Sequence, residues 1–145
     1  MPYHPMSESE VRDFLTSTPA RTAKLATVRA DGRPHVAPVW FVLDDDGCLV
    51  FNTGQDTVKG RNLIREGRAA VCVDDDRPPF GFVVVEGSVE IIDDLAQVRE
   101  WAGRLGGRYM GQERAEEYGE RNGVPGELLV RLRPEHVHSA ADLAE

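Results

Sequence analysis

Between residues 22 and 53 the apolar positions come in short runs, each closed by turn-forming residues. TAKLATVRA (22–30) ends on Asp31-Gly32, PHVAPVWFVL (34–43) ends on Asp44-Asp45-Asp46-Gly47, and CLVFNT (48–53) follows. Strand-like runs joined by such turns predict an antiparallel meander, and Asp-Gly is a strong hairpin signal. The second run is apolar on both faces, with Val36, Trp40 and Val42 on one and Ala37, Val39, Phe41 and Leu43 on the other. A strand covered on both sides lies inside a barrel or under a partner. Pro38 has no N–H for the ladder, so this strand carries an edge or a bulge there.

The pattern changes period on either side of the meander. Ser7 and Glu10 form an S-x-x-E capping box, and Val11, Phe14 and Leu15 follow at helical spacing, which predicts a helix over 8–17. A second helix is predicted over 57–66, with Asp56 or Thr57 as N-cap and Gly67 as its stop. AAVCVD (69–74) and FGFVVVEGSVEII (80–92) read as strands, and Gly87 inside the longer one marks a bulge or a close backbone approach. Asp93-Asp94 opens a helix with Leu95, Val98, Trp101, Ala102 and Leu105 on one face, stopped by Gly106-Gly107. QERAEEYGERN (112–122) is helical but mostly charged, hence solvated. ELLVRLRPEHVH (127–138) reads as one closing strand. About six strands and four short helices, with no linker or repeat, predict a single domain over 1–145. Its expected class is mainly β with peripheral helices, a small closed or split antiparallel barrel.

Composition narrows the function classes. Apolar residues make up 41% and charged residues 29% of the 145, so the chain can bury a core without disulfides. The net charge of −8 shows no basic stripe, which argues against nucleic acid and against an anionic lipid surface as partners. No apolar run approaches the ~20 residues needed to span a bilayer. MPYHPMSESE has neither a basic nor an apolar signal region. Cys48 and Cys72 each fall inside a predicted strand and read as buried free thiols. The expected location is the cytoplasm.

Side-chain catalysis finds little material. There is no G-x-S-x-G, and neither cysteine has a histidine nearby in sequence. The aspartate runs 44–46 and 74–76 sit in turns, where aspartate bonds local backbone. His136 and His138 share one strand face but lack a third ligand in sequence, so no metal site is expected. GRLGGRYMG (103–111) follows a helix rather than a strand, the wrong context for a dinucleotide fingerprint.

One stretch stands out, FNTGQDTVKGRNL (51–63). A strand runs into a loop and then into a helix N-terminus, which carries unpaired N–H groups and favours anions. Lys59 and Asn62 share a helix face, Arg61 adds a guanidinium, and Thr53 ends the strand with a hydroxyl. That equipment suits a phosphate. The same residues also suit an ordinary solvated helix with Lys59 and Arg61 paired to acidic neighbours.

FNTGQDTVKGRNLIREGRAAVCV resembles the strand–phosphate-loop–helix–strand segment of the pyridoxamine 5′-phosphate oxidase-like superfamily of split β-barrel flavin and deazaflavin proteins. AKLATVRADGRPHVAPVWFVLDDDG is similar to its first hairpin, and GFVVVEGSVEI to its long strand with an internal Glu-Gly. LATVRADGRPHVAPVWF and KGRNL are closer to the branch that uses the deazaflavin coenzyme F420. Val58-Lys59 stands where the FMN oxidases carry Arg-Lys, and RLRP (131–134) matches their substrate segment only faintly.

The resemblance implies a dimeric, F420-dependent oxidoreductase passing a hydride to a small unsaturated or conjugated substrate. The alternatives are an FMN-binding pyridoxamine phosphate oxidase and a non-catalytic flavin or haem carrier on the same barrel. It further implies that Lys59, Arg61 and Asn62 hold the cofactor phosphate or acidic tail, supported by Thr53. Leu25, Ala26, Thr27, Pro38, Val39 and Trp40 would line the ring system, with Phe80 and Phe82 supplied near the ring by either subunit. No catalytic side chain is assigned; a water, His35 or Tyr109 are the candidate proton donors.

Overall fold

The computed structural model describes residues 4–144. Helix α1 (Glu8–Leu15) opens with the capping box read from sequence: Ser7 Oγ accepts from the Glu10 N–H at 3.2 Å, and Glu10 Oε1 accepts from the Ser7 N–H at 3.0 Å. The strands are β1 (Ala23–Val28), β2 (Pro34–Val39), β3 (Val42–Leu43), β4 (Leu49–Gly54), β5 (Arg68–Asp75), β6 (Gly81–Ile92), β7 (Glu127–Leu132) and β8 (His136–Ala140). Helix α2 (Val58–Glu66) links β4 to β5, while α3 (Leu95–Met110) and α4 (Ala115–Asn122) link β6 to β7. All the paired strands are antiparallel, in the order β2-β1-β5-β6-β7-β4-β3, with β8 on β6.

Strand β6 makes this sheet curl. Its first half pairs with β8 and its second half with β7, along the same edge. The switch falls at Gly87, where the β7–β8 connection crosses and a Cβ would collide with the Arg133 carbonyl. This is the close backbone approach expected of that glycine. Alternate residues of β1, β5 and β6 (Leu25, Val71, Val73, Val83 and Val85) are at most 2% exposed and form the core with Phe41, Phe51, Leu63 and Leu132. The result is a curled, mainly antiparallel half-barrel with four helices.

Five expectations on the elements are corrected. The run 34–43 is two strands, because Phe41 gives its backbone to helix α3: its N–H donates to the Tyr109 hydroxyl at 3.2 Å, and its carbonyl accepts from Arg108 at 2.6 Å. Pro38 lies in β2, an edge strand bonded only to β1, as its missing N–H requires. Gly106-Gly107 does not stop α3, which continues to Met110. Any side chain at 106 would strike Tyr118, so Gly106 admits α4 against α3, while Gly107 makes room for the Gln112 side chain. Segment 112–122 is accordingly not wholly solvated; it is a 3-10 turn followed by α4, whose Tyr118 is 6% exposed. The run 127–138 breaks around Pro134 into β7 and β8. Cys48 precedes β4 rather than lying in it and is buried, Cys72 is half-buried in β5, and both are free thiols.

Candidate functional site

Helix α2 stands on the end of strand β4. Thr57 is its N-cap: Oγ1 accepts from the Gly60 N–H at 3.0 Å and donates to the Gly54 carbonyl at 2.8 Å. Thr53 Oγ1 lies 3.2 Å from Thr57 Oγ1. Since the Thr57 proton is engaged by Gly54, Thr53 is the donor of that pair. Gly67 closes the helix in the left-handed region at φ 69°, returning its N–H to the Leu63 carbonyl at 2.9 Å. Gly60 is not a spacer, since a Cβ there would run into the Gly54 carbonyl oxygen.

Asn62 joins the helix to the sheet. It is 3% exposed, donates from Nδ2 to Thr27 Oγ1 at 3.0 Å, and accepts from Arg65 at Oδ1 at 3.0 Å. Arg65 also donates to the Val28 carbonyl. Both ends of the Asn62 amide are thus held by protein, and Thr27 and Thr53 are 4% and 3% exposed. These three buried side chains are the frame of the candidate site.

Lys59 and Arg61 are placed differently. Lys59 is half-buried and Arg61 exposed, and neither has a side-chain hydrogen bond or ion pair among the described residues. The solvated-helix reading, in which both pair with acidic neighbours, finds no such pairs. Beside them, the N–H groups of Val58 and Lys59 belong to the helix's first turn and lack intrahelical acceptors. On β2, opposite Thr27, His35 has a buried Nδ1 with no hydrogen-bond partner among the described residues. Two uncommitted cations and free helix amides fit an anionic group such as a phosphate or phosphodiester.

The remaining expected residues scatter. Leu25 is 0% and Val39 8% exposed, both inside the core, so only their backbone could meet a ligand. Trp40 turns to the helices, stacked on Tyr109 with centroids 5.1 Å apart and edge-on to Tyr118 at 5.7 Å. Ala26 and Pro38 face outward on the uncovered side of the sheet. Phe82 pairs with Asp74, four positions along β6 from Glu86, which is level with Ala26. At ~3.3 Å per residue that is about 13 Å away. Phe80 lies beyond it in a loop with φ 63°. The chain therefore does not bring Phe80 and Phe82 to its own α2. Tyr109 is a clamp rather than a free acid: its hydroxyl donates to the Arg21 carbonyl at 2.6 Å, and burial pushes its pKa up.

Sequence reasoning missed Glu127. It heads β7 in register with Gly54, is half-buried, and has no hydrogen-bond or ion-pair partner for its carboxylate among the described residues. Burial pushes its pKa up, and the charge of Lys59 works in the other direction.

An antiparallel half-barrel, with two cations at the start of the helix between β4 and β5, is the architecture of the split β-barrel class. The sequence model of the pyridoxamine 5′-phosphate oxidase family matches residues 7–141, and the chain belongs to that family. A solved structure described as an F420 reductase superposes with TM-score 0.67 at 28% identity, covering 86% of this chain and 94% of that one. A 5a,11a-dehydrotetracycline/5a,11a-dehydrooxytetracycline reductase of Streptomyces rimosus is 36% identical over 76 residues, 48% of this chain and 54% of that protein. A pyridoxine/pyridoxamine 5′-phosphate oxidase of Mesorhizobium japonicum is 31% identical over 105 residues, 72% of this chain and 48% of that protein. The chain thus spans about half the length of the curated relatives it matches. Among the described residues no helix is long and apolar enough to cross a membrane.

Proposed function

We propose that the chain is an F420-dependent reductase that passes a hydride to a small unsaturated or conjugated substrate, acting as a cytoplasmic homodimer. The observation that carries this reading is the pair of uncommitted cations, Lys59 and Arg61, on a helix start inside the K-G-R-N-L pattern. The likeness to an F420 reductase over 94% of that chain supports the choice of cofactor, and the Streptomyces relative supports reduction. The hydride chemistry would belong to the bound deazaflavin. Lys59, Arg61 and the first-turn amides of α2 would hold its phosphate, while Thr53, Thr27 and Asn62 keep that helix in place. Ala26 and Pro38 would offer a flat apolar wall, with Phe80 and Phe82 coming from a second copy.

A specific observation favours a second copy. The outward face of β1, β2, β5 and β6 carries Ala26, Val28, Val36, Ala70 and Val84, with Val36 67% and Val28 45% exposed. Contiguous exposed apolar residues on a sheet mark an interaction surface. Val36→Glu is expected to halve the molecular mass measured by light scattering; a wild type already monomeric would reject the dimer.

The FMN oxidase reading is favoured by the Mesorhizobium relative. Titrating the purified protein with F420 and FMN side by side, by fluorescence, separates the two. Tighter F420 binding supports the reductase, the reverse preference the oxidase, and binding of neither removes both. Lys59→Ala is expected to weaken the preferred cofactor by ~1–3 kcal/mol, the scale of a lost charge-assisted hydrogen bond. Unchanged affinity in a folded variant would mean that Lys59 does not touch the phosphate.

A further inference from the structure

A half-buried carboxylate beside the cradle, Glu127, has no hydrogen-bond or ion-pair partner among the described residues. Elsewhere the half-buried or buried aspartates are matched: Asp44 with Arg131, Asp74 with Lys24 at 2.8 Å, and Asp75 with Arg21 at 3.2 Å. Glu127, beside the start of α2, has no such match among the described residues. Its Oε2 lies 3.7 Å from the point where a Cβ on Gly54 would stand, and the Thr57 methyl lies 3.3 Å from the same point. Glu127 therefore flanks the N-cap, on the strand paired with the one that ends at the cradle. Lys59 is near enough for its charge to act on Glu127, though the two make no ion pair.

We propose that Glu127 sets the charge of the cradle, so that it takes a singly charged phosphodiester in preference to a doubly charged terminal phosphate. This rests on the reading of α2 as the cofactor phosphate site. Glu127 offsets part of the positive charge that Lys59 and Arg61 place beside the helix amides. A phosphodiester carries one negative charge. A terminal phosphate carries nearly two above its second pKa of about 6, and the second charge would stand in the field of the Glu127 carboxylate. The phosphate of F420 is a diester and that of FMN is terminal, so one side chain separates the two classes of cofactor.

The experiment is a titration of wild type and Glu127→Gln with F420, FMN and riboflavin, at a pH of about 8 where the terminal phosphate is fully charged. Removing the carboxylate charge is expected to tighten FMN about tenfold, the order of one unit charge acting across a partly wetted site. F420 should gain less than about threefold, and riboflavin, which lacks the phosphate, should not change. Glu127→Asp should keep the wild-type preference, and Glu127→Ala reads the same loss of charge if the amide variant does not fold. Equal gains for FMN and F420, no gain for FMN, or a wild type that prefers FMN would overturn the proposal. If both cofactors bind but their ratio ignores the charge at 127, the role of Glu127 alone fails. If neither binds any variant, the phosphate-site reading fails and this inference with it.

Discussion

Arg131→Met is expected to destabilise the fold by about 2–4 kcal/mol at neutral pH, within reach of the cost of stripping one partner from a buried ion pair. Asp44 is 8% exposed. Its Oδ1 accepts from the N–H groups of Asp46 and Cys48, each at 2.9 Å, and its Oδ2 accepts from Arg131, at 2.8 Å from Nε. Methionine fills much of the volume but leaves Oδ2 without a donor. The pH dependence gives a second check. Burial alone would raise the Asp44 pKa, but the Arg131 guanidinium and the two backbone N–H groups outweigh it and hold the carboxyl below its ordinary value. A depressed folded-state pKa contributes stability that is present above the unfolded value, about 3.9, and is lost as pH falls through the folded one. The deficit of Arg131→Met, read from urea midpoints, should therefore shrink toward about pH 3. A deficit of the same size at both pH values would show that Asp44 is not its source.

What could be read in advance follows the range of the forces involved. The caps of α2, Thr57 and Gly67, depend on neighbours within a few residues and were legible, as were the Ser7 capping box and the edge position of Pro38. The break at Trp40–Phe41 was not, because the groups that hold it, Arg108 and Tyr109, lie 67 and 68 positions away. Gly106-Gly107 carries two meanings in sequence, a helix stop or a helix contact, and only the arrival of Tyr118 decides. Pro134 was visible, but the apolar alternation on either side hid the break. At the site, the sequence displayed Lys59 and Arg61 as cations on one helix start but left open whether acidic neighbours pair with them. It could not display that Thr27 and Asn62, 35 positions apart, engage each other. Glu127 had no local signal at all; a glutamate opening a strand is ordinary until β7 is paired with β4.

Gly60→Ala is expected to lose stability and cofactor affinity together, and that pairing ties the fold of α2 to its proposed task. On helix propensity alone the change should help, since alanine is favoured over glycine by about 1 kcal/mol in a helix interior. The site reverses the sign. A Cβ at residue 60 meets the Gly54 carbonyl, backbone that is also fixed by the Thr57 hydroxyl at 2.8 Å and the Thr57 N–H at 3.2 Å. The helix must lift off the end of β4, at an overpacking cost of about 1–3 kcal/mol. Lifting its first turn moves Lys59, Arg61 and the free amides as one body, so F420 affinity should fall by about tenfold or more, a displacement of ~1 Å being enough for such losses. Gly67→Ala is the control. Its cost is backbone strain at φ 69° with no neighbour within 4 Å, roughly 1–2 kcal/mol, and it lies at the far end of the helix. Thermal unfolding and F420 titration of the two variants should then diverge, with both less stable and only Gly60→Ala impaired in binding. Equal affinity in the two would mean that α2 does not present the phosphate site, whatever its cations suggest.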